Sequence, residues 1–553
     1  MKNRKKRRKA RRSLLLWLLI AGGVVILLSF LLWPLKSRKF QIVFDQDKIV
    51  YRENYLAEKV DSAVLRKKQL NIILIIADDL GKTDISLYGS PYVKTTNMDA
   101  IGLEGVTFNE GYISSPICSP SRAGLMTGRY QQRFGFELNI HERYPKSRLE
   151  YFFAKYFIAN KGDMRFSDRN GVAMPSFKDM HKQGLPPTEF ILPEILKKYG
   201  YQTGCFGKWH LGYNQTAIPM NRGFDYHYGF LEAHSLYAYE DDPNIINQHH
   251  EDFTDKFIWG KGRKGNCAVF RNGEEIVEKE YLTNRIGEEA TTWMKDNHKN
   301  GPFFMYVPFS APHTPFQVTK DYFDKYAHIE DRNKRVYYAM IHALDDAVGQ
   351  ITNMVDSLGI AENTLIVFIS DNGGAAYTHA TDNAPLKGGK LGNFEGGLNV
   401  PFMMRWKGTI PEATVVNHPV ISLDIFMTIC NILEVKLPDE RKFDGVNLLP
   451  YILGENKAEE KPHTALFWRS LYHKAIRKGK WKLIKDEKSN EMALYDVEAD
   501  KPERTNLIDQ CPDVLQELLA DLAAWEAEMS NPNWPNVLDY KMVDGDAVYY
   551  FPM

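Results

Sequence analysis

Short, almost wholly apolar runs alternate along this chain with longer stretches of helical periodicity. Asn71 to Ile76 is β-rich and apolar and ends in Ala77-Asp78-Asp79, the pattern of a strand buried on both faces of a parallel sheet. The grammar recurs three times. Tyr201 to Phe206 ends in Gly207-Lys208-Trp209-His210, Pro302 to Phe309 in Ser310-Ala311-Pro312-His313, and Asn363 to Ser370 in Asp371-Asn372-Gly373-Gly374. Helix-like stretches lie between them, including Leu192 to Tyr199 and Val336 to Leu358. Strands alternating with helices predict an α/β fold with a large, mostly parallel or mixed sheet flanked by helices. Ligands of such sheets bind beyond the carboxyl ends of the strands. All four runs end in polar clusters there, so one site can collect them.

The texture changes after about Pro438. Short β-rich pieces (Ala465 to Trp468, Lys474 to Ile476, Trp481 to Ile484) precede an amphipathic stretch from Asp513 to about Met529, which predicts a smaller antiparallel sheet with a packed helix. Residues 71–438 are therefore expected to form the catalytic domain and 439–553 a C-terminal subdomain. A length of 553 residues suits that division, being too great for one ordinary core. At the other end, MKNRKKRRKARR precedes an apolar run from Ser13 to about Leu35, flanked by Trp17 and Trp33. That run is long enough to span a bilayer, and the Lys/Arg block would hold its N-terminus in the cytoplasm. A cleaved signal peptide is the rival, but no small-x-small site follows before Lys36. The expectation is a transmembrane helix within residues 1–36, a stalk or ordered arm over 37–70, and a catalytic domain outside the cytoplasm at the cell membrane.

Composition changes this picture little. Lys plus Arg and Asp plus Glu number 70 each, so there is no basic surplus of the kind that marks a nucleic-acid partner. The five cysteines are odd in number, so at least one stays unpaired within the chain or is altered. Cys205 and Cys430 lie in apolar surroundings and read as buried thiols, whereas Cys118 stands in a polar motif.

The strand ends carry the chemistry. Asp78, Asp79, Asp371 and Asn372 offer hard oxygen ligands suited to Ca²⁺ or Mg²⁺ rather than zinc. Adjacent buried carboxylates repel unless a cation lies between them. Lys208, His210, His313 and Lys390 add cationic or proton-donating groups at the same edge, which implies an anionic substrate. Each of these has a bland alternative as a turn residue, a solvated lysine or a loop histidine, and for His342 and His379 that alternative is adopted. Cys118-Ser119-Pro120-Ser121-Arg122 places a cysteine at a helix start, where a thiolate nucleophile would be favoured.

The stretch from Cys118 to Gly128 also fits every fixed position of C-x-P-S-R-x-x-L-x-T-G, the signature of the formylglycine-dependent sulfatases of the alkaline phosphatase superfamily. The chain resembles that family from about Asn71 to its C-terminus. Asp78-Asp79, Gly207-Lys208-Trp209-His210-Leu211-Gly212, Pro312-His313-Thr314-Pro315, Asp371-Asn372-Gly373 and Gly389-Lys390 all stand in family order. The resemblance implies that a maturation enzyme oxidises Cys118 to formylglycine. It implies that Asp78, Asp79, Cys118, Asp371 and Asn372 hold Ca²⁺, that Arg122 and Lys208 orient the hydrated aldehyde, and that His210 assists sulfate elimination. His313 and Lys390 would bind sulfate and stabilise the leaving oxygen. A hydrated aldehyde suits the reaction because one hydroxyl can attack sulfur and the other can then lose its proton to re-form the carbonyl.

Two features depart from the family pattern: the apolar N-terminus, and a long segment rich in Tyr, Phe, Lys and Arg before Leu185-Pro186-Pro187. The expected substrate is a sulfated carbohydrate, with Tyr226 to Tyr239 and parts of Phe136 to Gly184 as pocket walls and His234 as the sugar contact. The alternatives are a phosphodiesterase or phosphonate hydrolase of the same superfamily, and a silent sugar-sulfate binding protein in which Cys118 is never matured.

Overall fold

Successive side chains of a strand point to opposite faces, and the central strand, Asn71–Asp78, feeds two separate cores in that way. Ile72, Leu74 and Ile76 belong to one, Ile73, Ile75 and Ala77 to the other. The computed structural model describes every residue except 1, 34–39, 41, 62–64, 66–69, 141–146, 154, 157–162, 168–176, 250–254 and 457–459. The expected anchor boundary at Lys36, parts of the 37–70 arm and parts of the long inserted segment thus lie outside the described residues.

The main sheet runs in the order Thr414–Val416, Val106–Phe108, Phe402–Arg405, Thr364–Ser370, Asn71–Asp78, Phe303–Pro312, Gln202–Lys208, Tyr226–Phe230, Val269–Arg271, Glu274–Ile276. Its centre is parallel: Asn71–Asp78 lies between Phe303–Pro312 and Thr364–Ser370, and Gln202–Lys208 follows on the far side of Phe303–Pro312. Antiparallel pairs close it toward both edges, as between Thr364–Ser370 and Phe402–Arg405. Helices Leu282–Asn297 and Arg332–Ser357 cover one face with Ile286, Met294, Val336 and Leu344 among others. Cys118–Thr127, Leu192–Lys198 and Leu423–Ile432 cover the other. All four apolar runs identified in the sequence are strands, and their polar ends converge at one edge.

The C-terminal region forms a four-stranded antiparallel sheet, Leu466–Ser470 to Glu491–Asp496, with helix Pro512–Glu526 packed on it. It shares the core of the second face: Trp468 is buried, and its indole N–H donates to the Ile113 carbonyl at 2.7 Å. A further sheet joins Ala547–Pro552 and Leu538–Asp544 to Met164–Phe166, so part of the inserted segment is a strand on the C-terminal hairpin.

Within the expected arm, Gln46–Ala57 is a helix that lies on the body. Asp45 caps it by accepting from the Asp47 and Lys48 N–H groups at 3.0 and 3.3 Å. Arg52 pairs with Glu194, which also accepts from Arg222 Nε at 2.6 Å. Tyr55 is buried edge-on against Phe190, with its hydroxyl on the Lys436 carbonyl and the Lys198 ammonium over its ring. Truncating such a side chain removes packing and a cation–π contact together. Tyr55→Ala should therefore destabilise the protein by about 3 kcal/mol, read as a lower denaturation midpoint. An unchanged midpoint would mean that the helix is undocked in solution.

Candidate active site

The site is built where four strands end and one helix begins. Asp78 is the last residue of its strand, and Asp79 turns the chain with φ 60°, a left-handed conformation that a non-glycine residue adopts at a cost. Several bonds hold it there. The Asp79 N–H points at Asp371 Oδ1 (3.3 Å), the Tyr337 hydroxyl donates to its carbonyl (3.3 Å), and the Leu80 N–H donates to Ser370 Oγ (3.1 Å). On the neighbouring strand the Asp371 N–H donates to the Ala77 carbonyl at 3.0 Å, and Asn372 Nδ2 donates to Asp79 Oδ1 at 2.7 Å.

Cys118 opens the helix Cys118–Thr127, whose residues are all buried. Its Sγ lies 3.7 Å from Asp79 Oδ1. One turn on, Arg122 Nε donates to Asp371 Oδ2 at 2.7 Å and Nη1 to the Lys208 carbonyl at 2.8 Å, while Nη2 stands 3.7 Å from Asp78 Oδ1. Lys208 Nζ meets Asp78 Oδ2 at 2.7 Å and Lys390 Nζ meets Asp79 Oδ2 at 2.9 Å. Three buried carboxylates thus face three basic side chains, each from a different segment of chain.

His313 Nε2 lies 3.6 Å from Asp79 Oδ2, and its Nδ1 is 2.6 Å from the Thr314 carbonyl, which makes Nδ1 the protonated nitrogen. Burial, then Lys390, pushes its pKa down to about 3. His210 has φ 56°, is buried, and has no hydrogen-bond partner on either ring nitrogen; burial, then Lys208 and Arg122, holds it well below the usual histidine range. For Asp79 burial acts upward, but Lys390, His313 and Lys208 outweigh it and hold the carboxyl below the usual range. Asp371 goes the other way: burial and the neighbouring Asp78 raise it to about 6. Burial also raises the Cys118 thiol despite Lys208 and Lys390, the opposite of what an ordinary thiolate nucleophile requires.

The donor set fits a hard cation. Asp78 Oδ1 and Asn372 Oδ1 are buried oxygens without a hydrogen-bond partner, which is costly unless something else satisfies them. One ligand atom each from Asp78, Asp79, Cys118 and His313 lies within 4.8 Å of the others. His313, read from the sequence as a sulfate ligand, thus adjoins the metal-ligand group, while Asp371 is engaged by Arg122.

His234 is buried. It is 5% exposed, its ring lies 5.6 Å from that of Phe257, and its Nε2 is 3.8 Å from Cys267 Sγ. Burial, then His313 and Lys208, holds its pKa well below the usual histidine range. The run expected as a sugar wall is largely core. Tyr226–Phe230 is a sheet strand, and Tyr237 is buried with its hydroxyl on the Ser310 and His313 carbonyls (2.5 and 2.8 Å). Tyr237 and Tyr337 are supports that sequence reasoning missed. Tyr337 and Tyr338 also bind buried Asp84, at 2.7 and 3.0 Å. Nothing in the helical periodicity around Tyr337 distinguishes it from a packing residue.

Residues 70–435 match the family model described as Sulfatase, and residues 390–528 the one described as N-sulphoglucosamine sulphohydrolase, C-terminal. The chain belongs to the sulfatase family. Rat N-acetylgalactosamine-6-sulfatase is 31% identical to this sulfatase over 389 residues, 69% of this chain and 66% of the rat protein. Human steryl-sulfatase is 29% identical over 467 residues, covering 74% of this chain and 73% of its own. The crystal structure of Ps i-CgsB in complex with k-i-k-neocarrahexaose superposes with a TM-score of 0.69 at 29% identity, over 84% of this sulfatase and 95% of that chain.

Arg122 is the charge on which Asp371 depends. Arg122→Met should cost about 3 to 5 kcal/mol of stability, because it strands a buried carboxylate. An unshifted denaturation midpoint would show that Asp371 is not ionised opposite it.

Proposed function

We propose that this sulfatase hydrolyses sulfate esters of a carbohydrate, with Cys118 oxidised to formylglycine and Ca²⁺ held by Asp78, Asp79, Asp371, Asn372 and the modified residue 118. The observation that carries the reading is the complete signature from Cys118 to Gly128 folded as a buried helix whose first residue touches the acid–cation cluster. When bound, the cation would polarise a sulfate oxygen. A hydrated aldehyde at residue 118 would supply one hydroxyl to attack sulfur and another to re-form the carbonyl as sulfate departs.

The chain's own residues supply the rest. Lys208, held on Asp78, would orient the hydrated aldehyde with Arg122, and Lys390, held on Asp79, would bind the sulfate oxygens with His313. Arg122 orients Asp371 by a short charge-assisted bond, leaving its other oxygen toward Asp79 as acceptor for the attacking hydroxyl's proton. Neutral His210, its ring nitrogens unpartnered, would take the second hydroxyl's proton during sulfate release. His313 offers Nε2 toward the same pocket and would steady the leaving oxygen.

The helix that bears Cys118 is buried throughout, so a maturation enzyme could reach the thiol only before the chain folds. A carbohydrate substrate accords with the rat relative, named for N-acetylgalactosamine-6-sulfate chemistry, and with the similar structure solved with a neocarrahexaose. His234, four residues beyond Phe230, which pairs with Lys208 at the end of the neighbouring strand, is the proposed sugar contact. Arg4–Leu32 is a helix whose apolar part, from Ser13 on, is long enough to cross a membrane and is not buried against the body. We read it as an uncleaved anchor with a cytoplasmic N-terminus.

Peptide mass analysis across residues 118–129 of protein from its native host should show the aldehyde in place of the thiol. Cys118→Ala should abolish release of sulfate from sulfated sugars. An intact thiol in active enzyme, or faster cleavage of phosphate diesters than of sulfate esters, would overturn the reading.

A further inference from the structure

The N-terminal helix and the long inserted segment meet. Lys2–Leu32 and the short helix Arg148–Phe153 are in contact, with the Arg148 guanidinium 3.8 Å from the centroid of the Phe30 ring. Phe30 lies in the last turn of its helix, three residues before Trp33. If the basic N-terminus stays in the cytoplasm, that turn reaches the outer interface of the bilayer, where Trp residues collect. Arg148–Phe153 is thereby fixed at the same depth.

The composition of this helix suits the depth. Phe152, Phe153 and Tyr156 are 49%, 49% and 58% exposed, far more than most large aromatic side chains of the body. They form one patch, with ring centroids 4.7 Å apart for Phe152 and Tyr156 and 6.5 Å for Phe152 and Phe153. Lys155 lies over the rings of Tyr151 and Tyr156 at 5.9 and 5.6 Å. A contiguous apolar patch exposed to water marks a contact surface. Aromatic rings flanked by Arg and Lys, which bury their stems and keep their charges at the headgroups, match a lipid interface. A protein partner would not require the patch to sit level with the end of a membrane helix.

We propose that Arg148–Phe153, together with Tyr156, rests in the outer interface of the membrane that the N-terminal helix spans. The inference builds on the anchor reading above. It gives the body a second lipid contact, which fixes its tilt relative to the bilayer instead of leaving it to swing on one helix.

Spin labels on the full-length chain in phosphatidylcholine/phosphatidylglycerol bilayers test this. Cys118, Cys205, Cys267 and Cys430 are buried, so Cys511→Ser leaves a background in which Phe153→Cys, Val24→Cys or exposed Val277→Cys can be labelled singly. Collisions with oxygen, which partitions into lipid, are compared with those of a water-soluble nickel chelate. The oxygen-to-nickel ratio at position 153 should exceed that at 277 several-fold. An aqueous ratio at 153 with a lipid ratio at 24 would overturn this inference and leave the anchor standing. An aqueous ratio at 24 would remove the anchor and, with it, this inference. Low collision with both reagents at 153 would mean that protein covers the patch, and would also overturn the proposal.

Discussion

Three carboxylates buried at the ends of parallel strands can stay ionised only if cations offset them, and most of the architecture around this site serves that requirement. Asp78, Asp79 and Asp371 are each 2% exposed or less. Their partners come from elsewhere: Arg122 from the buried helix, Lys208 from the end of the next-but-one strand, Lys390 from a glycine-rich loop. Each ion pair therefore ties one element to the central strands. Loss of a single cation leaves an uncompensated buried charge, so the site and the fold are stabilised together.

The C-terminal region takes part through the Lys390 loop. Lys482 Nζ, fully buried, bridges Glu395 and Glu503 at 2.9 and 2.8 Å. The Glu395 N–H donates to Glu503 Oε2 at 2.7 Å, and Lys387 Nζ donates to the Glu503 carbonyl at 3.0 Å. Both ends of the segment that carries Lys390 are thus fastened to the C-terminal part. The antiparallel sheet, distant in sequence from the strand-end chemistry, holds a cation against Asp79.

Burial on both faces makes the central strands legible in the sequence, because it forces continuous apolar runs, and their polar ends mark Asp78, Lys208, His313 and Asp371 as neighbours. Short or mixed strands were less legible. Tyr226–Phe230, with aromatic residues at alternate positions, reads as part of a ligand wall, yet it pairs with Gln202–Lys208 so closely that a Cβ on Gly229 would lie 1.9 Å from the Gly207 carbonyl oxygen. The pairing of Met164–Phe166 with Leu538–Asp544 joins residues hundreds of positions apart and leaves no local signal. The supports of Tyr237 and Tyr337 were hidden for a related reason: a hydroxyl among apolar neighbours looks like packing until its acceptor is known.

Asp78 Oδ1 and Asn372 Oδ1, which lack hydrogen-bond partners, and the carboxylates beside them would together form the proposed cation site. Calorimetric titration of Ca²⁺ into chelator-stripped protein measures it directly. The account predicts saturable binding of one ion per chain, lost in Asp79→Asn. Absence of saturable binding, or binding unaffected by that substitution, would contradict it.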